Sequence, residues 1–85
     1  MANLNKIKQM NDTQIQEWLR KVGRENVEKL GMAMLGECDE VQDLIYKNMS
    51  QRAGEMLRKD INKYKMKGMN EKYISSCAAE MEKLF

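Results

Sequence analysis

Apolar residues recur at intervals of three and four along most of this 85-residue chain. This spacing lines one face of an α-helix, and it is repeated in five successive stretches. The sequence has no run of alternating apolar and polar residues typical of a half-buried strand, and no proline to interrupt a helix. The pattern therefore predicts an all-α fold, a compact right-handed array of about five short helices.

Capping residues and glycines mark where the predicted helices begin and end. A polar side chain at a helix start accepts a hydrogen bond from an unpaired backbone N–H, and glycine commonly follows a helix end. We expect five helices, which run from Asn11 to Gly23, from Gly23 to Gly36, from Glu37–Glu40 to Met49, from Ser50 to Tyr64, and from Asn70 to Leu84.

The chain is expected to form a single helical domain over residues 11–85, after a loosely ordered lead-in over residues 1–10. The lead-in has only weak periodicity. Even so, Leu4, Ile7 and Met10 are spaced so that one or two helical turns would place them against the core.

The second helix contains an interior glycine, Gly31, which lowers helix propensity but permits a close crossing with another helix. We expect such a crossing there. The nine methionines are expected mainly to fill the core. Met34 falls on a predicted inward face, whereas Met32, Met66 and Met69 do not.

The helix that begins at Ser50 separates apolar from charged side chains most sharply. Its predicted inward positions are Ala53, Leu57, Ile61 and Tyr64, and its outward positions include Arg52, Glu55, Lys59 and Lys63. The spacing from Glu55 to Lys59 also predicts an ion pair between successive turns. Since a charged helix face is most often only solvated, this pattern alone does not define a binding site.

Composition indicates a cytosolic protein. The formal charge of +2 is too small to imply a nucleic-acid partner, and no apolar run approaches the roughly 20 residues of a transmembrane helix. The N-terminal residues also lack the apolar segment of a signal peptide. We therefore expect no membrane insertion.

Neither catalytic chemistry nor a cofactor is indicated by the sequence. Histidine is absent, and Cys38 and Cys77 lack the close paired spacing of a zinc site. We expect both to be reduced thiols, buried or half-buried. No catalytic, cofactor-binding or metal-binding residue is predicted, so the chain is not expected to be an enzyme.

A basic segment at the end of the fourth helix supports an alternative function. It contains Arg58, Lys59, Lys63, Lys65 and Lys67, with Tyr64 among them. Such a segment is typical of proteins that bind nucleic acid or an anionic surface. A single interleaved aromatic residue makes this signal weak.

The segment Asn48 to Ala53, followed by Met56 to Asp60, resembles the C-terminal domain of the flagellar motor switch protein FliG. Two shorter pieces occur in the family's order, Asn11-Asp12 with Ile15-Gln16 and then Ala33 with Gly36. The resemblance implies an armadillo-like helical fold in which the helix after Ser50 faces the stator and carries the charges used in torque transfer. It also implies a location at the cytoplasmic face of the inner membrane, at the flagellar base.

The family's charged residues correspond only in part to those of this chain. Arg52 matches the arginine of the motif, and Asp60 matches the second of two adjacent acids. Lys59 replaces the first acid, and Leu35 stands where the family commonly has lysine. The Gly-Pro-x-Arg loop is missing, and Lys65, Lys67 or Gly68 falls in its arginine's place. The predicted protein-interaction surface consists of Arg52, Glu55, Lys59, Asp60 and Lys63.

The resemblance implies a protein partner, either the stator's cytoplasmic loop or another flagellar switch component. Three origins stay open for the chain: an excised domain, a stand-alone relative of FliG, or this fold adapted to a non-flagellar partner. A stand-alone relative is favoured, because Met1-Ala2-Asn3 is typical of the natural start of a protein.

Overall fold

Five α-helices and two short 3₁₀ helices make up the secondary structure of this computed structural model, which describes residues 3–68 and 70–85. The α-helices are α1 (Asp12–Val22), α2 (Val27–Leu35), α3 (Asp39–Lys47), α4 (Gln51–Met66) and α5 (Glu71–Glu82). The 3₁₀ helices are Asn5–Gln9 and Arg24–Asn26. Over the described ranges there is no strand, so the predicted all-α fold of about five helices is confirmed.

Side-chain caps start three of the helices where the sequence predicted them. The Asn11 side chain accepts a hydrogen bond from the backbone N–H of Gln14 at 2.8 Å, and the Gln14 side chain accepts one from the backbone N–H of Asn11 at 2.9 Å. The side chain of Ser50 accepts a hydrogen bond from the backbone N–H of Ala53 at the start of α4, and the side chain of Asn70 accepts one from the backbone N–H of Lys72 at the start of α5. Each cap satisfies an N–H that the first turn leaves unpaired.

Helix α2 is the centre of the fold, because it packs against both α4 and α5. Five consecutive residues of α2, from Leu30 to Met34, are buried. The expectation that Met32 faces outward is therefore wrong: Met32 is 4% exposed. A helix covered on two sides buries residues all around its axis, which a search for one apolar face does not detect.

The close helix crossing predicted at Gly31 is confirmed between α2 and α4. A Cβ atom built on Gly31 would lie 3.2 Å from Cε2 of Tyr64 and 3.3 Å from Cδ1 of Leu57. Most side chains at this position would push the two helices apart. Gly31 thus sets how closely α4 approaches the core.

The N-terminal segment, expected to be a lead-in to the domain, contains one short helical element. Residues Asn5–Gln9 form a 3₁₀ helix that packs against α3, and Leu4 and Ile7 are completely buried. The backbone N–H of Leu4 also donates a 2.8 Å hydrogen bond to a carboxylate oxygen of Glu37. Met10 is half-buried and also packs against the core, as the spacing of Leu4, Ile7 and Met10 predicted.

The corner between α3 and α4 is tied to α1, and this contact helps to fix the start of α4. The side chain of Asn48 donates to Asp12 at 3.2 Å and accepts from Gln16 at 3.1 Å. Lys47 forms an ion pair with the same Asp12 at 3.4 Å. Within the described residues, no helix has the length and apolar character needed to span a membrane.

Candidate protein-interaction surface

Helix α4 is held against the core by one side and leaves the other in water. Leu57 and Ile61 are 1% and 3% exposed, as the sequence predicted. Gly54, which the prediction omitted, is also buried on this side, next to Tyr46 of α3. A helix anchored in this way presents its outer side chains in a fixed order.

Four of the five predicted interaction residues share the outward face of α4. Arg52, Glu55, Lys59 and Lys63 are all exposed, and at 3.6 residues per turn they lie within an arc of about 80°. Asp60 differs from them, because it is half-buried and lies at the edge where α4 meets the core. The outward face is therefore mainly basic, with one acid within it and one at its margin.

The charged side chains of α4 have no ionic partners among residues 3–68 and 70–85. The three ion pairs described there join Lys8 to Glu40, Lys29 to Glu80 and Lys47 to Asp12, and all involve other elements. The ion pair predicted between Glu55 and Lys59 does not form. Glu55 instead accepts a long 3.5 Å hydrogen bond from Gln51. The charges of this face consequently remain available to another molecule.

The flank of α4 next to α3 is closed by a cation–π contact. The guanidinium carbon of Arg58 lies 4.1 Å from the centre of the Tyr46 ring. Burial raises the pKa of the Tyr46 hydroxyl, and the Arg58 charge opposes part of that rise. By helical geometry, Lys65 shares this flank, whereas Lys59 and Lys63 lie on the outward face. The basic segment is thus divided between two sides of α4.

The opposite flank of α4 borders a groove. We call it the Met56 groove; it is lined by Arg24, Val27, Met49, Ser50, Arg52, Ala53, Met56, Leu57 and Asp60, and it has a volume of about 650 Å³. Arg52, Met56 and Asp60 form its α4 ridge at spacings of four residues. Met56 is 60% exposed.

Two residues of this groove were missed by the sequence interpretation. Met56 carried a usable signal, since it lies four residues after Arg52 and four before Asp60. Arg24 carried none, because only the packing of α2 on α4 brings the 3₁₀ helix that precedes α2 beside this ridge. Local periodicity does not report contacts between separate elements.

The positions at which this chain departs from the FliG pattern lie in different places. Lys59 is exposed on the outward face of α4, among the predicted interaction residues. Leu35 is half-buried and lines a separate cavity between α2 and α5. Lys65 is in the last turn of α4, and exposed Lys67 and Gly68 follow at its end, where Gly68 has a φ of 64°. The reversed charge at Lys59 thus alters the outward face itself.

The two cysteines differ in their surroundings. Cys77 is 1% exposed, and burial raises the pKa of its thiol, partly opposed by a hydrogen bond with the Tyr73 side chain. Cys38 is exposed, so the expectation of a buried or half-buried thiol is wrong there. Cys38 precedes α3 as its N-cap, a position outside the apolar face of the helix.

Met66 is 89% exposed, as its outward position predicted, and Met69 lies outside the described residues.

No group of three or more Cys, Asp or Glu side chains in the described part of the chain is arranged to hold a metal ion.

Comparison with known proteins places the chain in a family. It matches the FliG C-terminal domain over residues 1–83 of its 85. No curated protein and no solved structure gave a significant match. The match includes the N-terminal 3₁₀ helix as well as the five α-helices. The chain therefore belongs to the family of FliG C-terminal domains, and FliG is a flagellar motor switch protein.

Proposed function

We propose that this chain is a non-enzymatic interaction module that binds a flagellar partner through the outward face of α4. The preferred partner is the cytoplasmic loop of the stator, and another switch component is the second choice. The observation that carries the proposal is the set of exposed, unpaired charges at Arg52, Glu55, Lys59 and Lys63, with Asp60 at their margin. Family membership supports the flagellar setting.

The order of charges on α4 defines what the partner has to present. Arg52, Lys59 and Lys63 favour carboxylates, whereas Glu55 favours a lysine or arginine. An exposed ion pair contributes only about 0.2–1 kcal/mol, so several pairs have to form together for useful affinity. Because Lys59 replaces an acid of the family pattern, the matching partner carries an acid opposite it.

A partner of this kind places the chain at the cytoplasmic face of the inner membrane, where the stator loop meets the motor. The chain then contributes one surface of a contact between the stationary and rotating parts. The close packing of α4 against α2 at Gly31 supports this role, because tightly packed helices transmit a load from an outer face to the core.

Binding to nucleic acid or an anionic surface is the competing function. It is less well supported by the structure, since the basic side chains point to two sides of α4 and Arg58 is stacked on Tyr46. A steep loss of DNA, RNA or anionic-vesicle binding with rising salt would support it. The absence of detectable binding to these ligands even at low salt would rule it out.

The proposed function is tested by measuring the affinity for the stator's cytoplasmic loop from the same organism by fluorescence anisotropy. The Arg52→Glu, Lys59→Glu double variant is expected to bind at least about tenfold more weakly, since two attractions become repulsions. The charge-matched control is Lys72→Glu with Lys83→Glu, at the two ends of α5. Equal affinities of the two double variants would contradict the proposal.

A further inference from the structure

We infer that the Met56 groove binds an acidic segment of a partner protein by receiving one of its apolar side chains beside Met56 and a neighbouring carboxylate near Arg52. The inference rests on the proposed function and extends it, because it names the chemistry of the partner. That partner segment carries an apolar residue flanked by Asp or Glu.

The apolar part of the inference comes from the exposed surface of Met56. Met56 is one of only three large apolar side chains exposed in the described residues, and unlike Met66 it lies in a concavity. Half-buried Val27 and Met49 line the same concavity. Methionine side chains adapt to the shape of an inserted group, so these residues form a suitable receptor for one aliphatic or aromatic side chain.

The charges of the groove select an acidic partner. Arg24 and Arg52 both line it, both are exposed, and neither forms an ion pair with another described residue. Asp60 is the single acid of the lining. It lies two helical turns from Arg52, about 12 Å along α4. The carboxylate of the partner is therefore expected at the Arg52 end, away from Asp60.

The dimensions of the groove suit a short segment. A length of about 12 Å accommodates roughly four extended residues or two turns of a helix. The volume of about 650 Å³ falls within the usual range of binding cavities. The groove also adjoins the outward face of α4 along Arg52, so one partner can contact both.

The test uses nuclear magnetic resonance of labelled methionine methyl groups in the intact chain, titrated with a synthetic peptide that has one leucine flanked by glutamates. We expect the Met56 and Met49 signals to shift saturably and the Met66 signal to stay in place. Met56→Ser is expected to weaken the peptide at least about tenfold. The control Met66→Ser changes an exposed methionine on the same helix and is expected to leave the affinity unchanged.

A charge exchange separates the acidic preference from simple apolar binding. Arg24→Glu is expected to weaken the glutamate peptide and to strengthen a peptide with lysines in those positions. Both peptides keep the same leucine, so unequal responses report the charges alone. Equal binding of the two peptides to the unaltered chain would overturn the acidic assignment.

Three results would overturn the inference: no saturable Met56 shift at millimolar peptide, an equal effect of Met66→Ser, or Met56 shifts that depend on protein concentration without peptide. The last result would assign the groove to a second copy of the chain. These outcomes are separate from failure of the proposed function. If the peptide does not bind the groove while the Arg52→Glu, Lys59→Glu variant still binds the stator loop more weakly than the unaltered chain, only the groove inference is wrong.

Discussion

At the scale of single residues, the environment of a thiol decides how it responds to alkali. Burial holds the pKa of Cys77 above its ordinary value, whereas the same thiol in the unfolded chain is in water. Raising the pH therefore removes a proton from the unfolded chain first. This favours unfolding, since stability falls with pH wherever the unfolded state binds fewer protons.

We accordingly expect the free energy of unfolding to fall between about pH 8.5 and 9.5, with Cys77 contributing at most about 1.4 kcal/mol of that fall. The measurement is urea unfolding followed by circular dichroism at both pH values. Cys77→Ala is expected to flatten the dependence, and Cys38→Ala, which alters an exposed thiol, to retain it. Parallel curves for the Cys77 variant and the unaltered chain would show that burial of this thiol has no part in alkaline stability.

At the scale of elements, a larger side chain is expected to change the stability of the fold in opposite directions at two glycines, Gly54 of α4 and Gly31 of α2. A Cβ on Gly54 would have an ordinary contact with Tyr46 at 3.8 Å, whereas a Cβ on Gly31 would crowd Tyr64 and Leu57. Gly54→Ala is expected to stabilise the fold by about 0.5–1 kcal/mol, because alanine favours a helix more than glycine does.

Valine at the crossing is expected to have the reverse effect. Gly31→Val should destabilise by about 1–3 kcal/mol through overpacking between α2 and α4. Gly54→Val is the matched control, with the same side chain at the roomier position. Chemical denaturation of the three variants gives the comparison. If Gly31→Val were as stable as the control, α4 would not be held closely against α2.

Helical periodicity was sufficient to predict the number of helices, most of their boundaries and the inner side of α4. Those features depend on spacing and caps within one element. Met32, Arg24 and the unformed Glu55 to Lys59 pair depend instead on what packs beside an element or on which rotamer a solvated side chain adopts. The sequence carries no local signal for either. The outward charges and the position of Met56 beside them were therefore predictable, but the contribution of Arg24 to the groove was not.

At the scale of the whole molecule, the N-terminal segment joins distant parts of the chain. The backbone N–H groups of Asn3 and Leu4 donate to the carboxylates of Glu82 and Glu37, respectively. Ile7, three residues after Leu4, is completely buried. Since a domain of this size has only roughly 5–10 kcal/mol of stability, the segment is expected to be essential for folding.

Ile7→Ala is expected to cost about 2–5 kcal/mol, as typical for emptying a fully packed position. Gln9→Ala, at an exposed position of the same 3₁₀ helix, should cost far less. Trp18 provides the readout, because its indole N–H donates to the Met81 carbonyl and its ring stacks on Phe85 in the native fold. A small cost for Ile7→Ala would mean that the segment is not part of the cooperative unit.

The central claim is direct contact between the charged face of α4 and a carboxylate of its partner. A double-mutant cycle tests it by isothermal titration calorimetry, combining Lys59→Glu with reversal of each acid of the stator loop in turn. One reversed acid is expected to restore binding to Lys59→Glu, with a coupling of at least about 1 kcal/mol, or roughly fivefold in Kd. Strictly additive effects for every acid of the loop would contradict the claim.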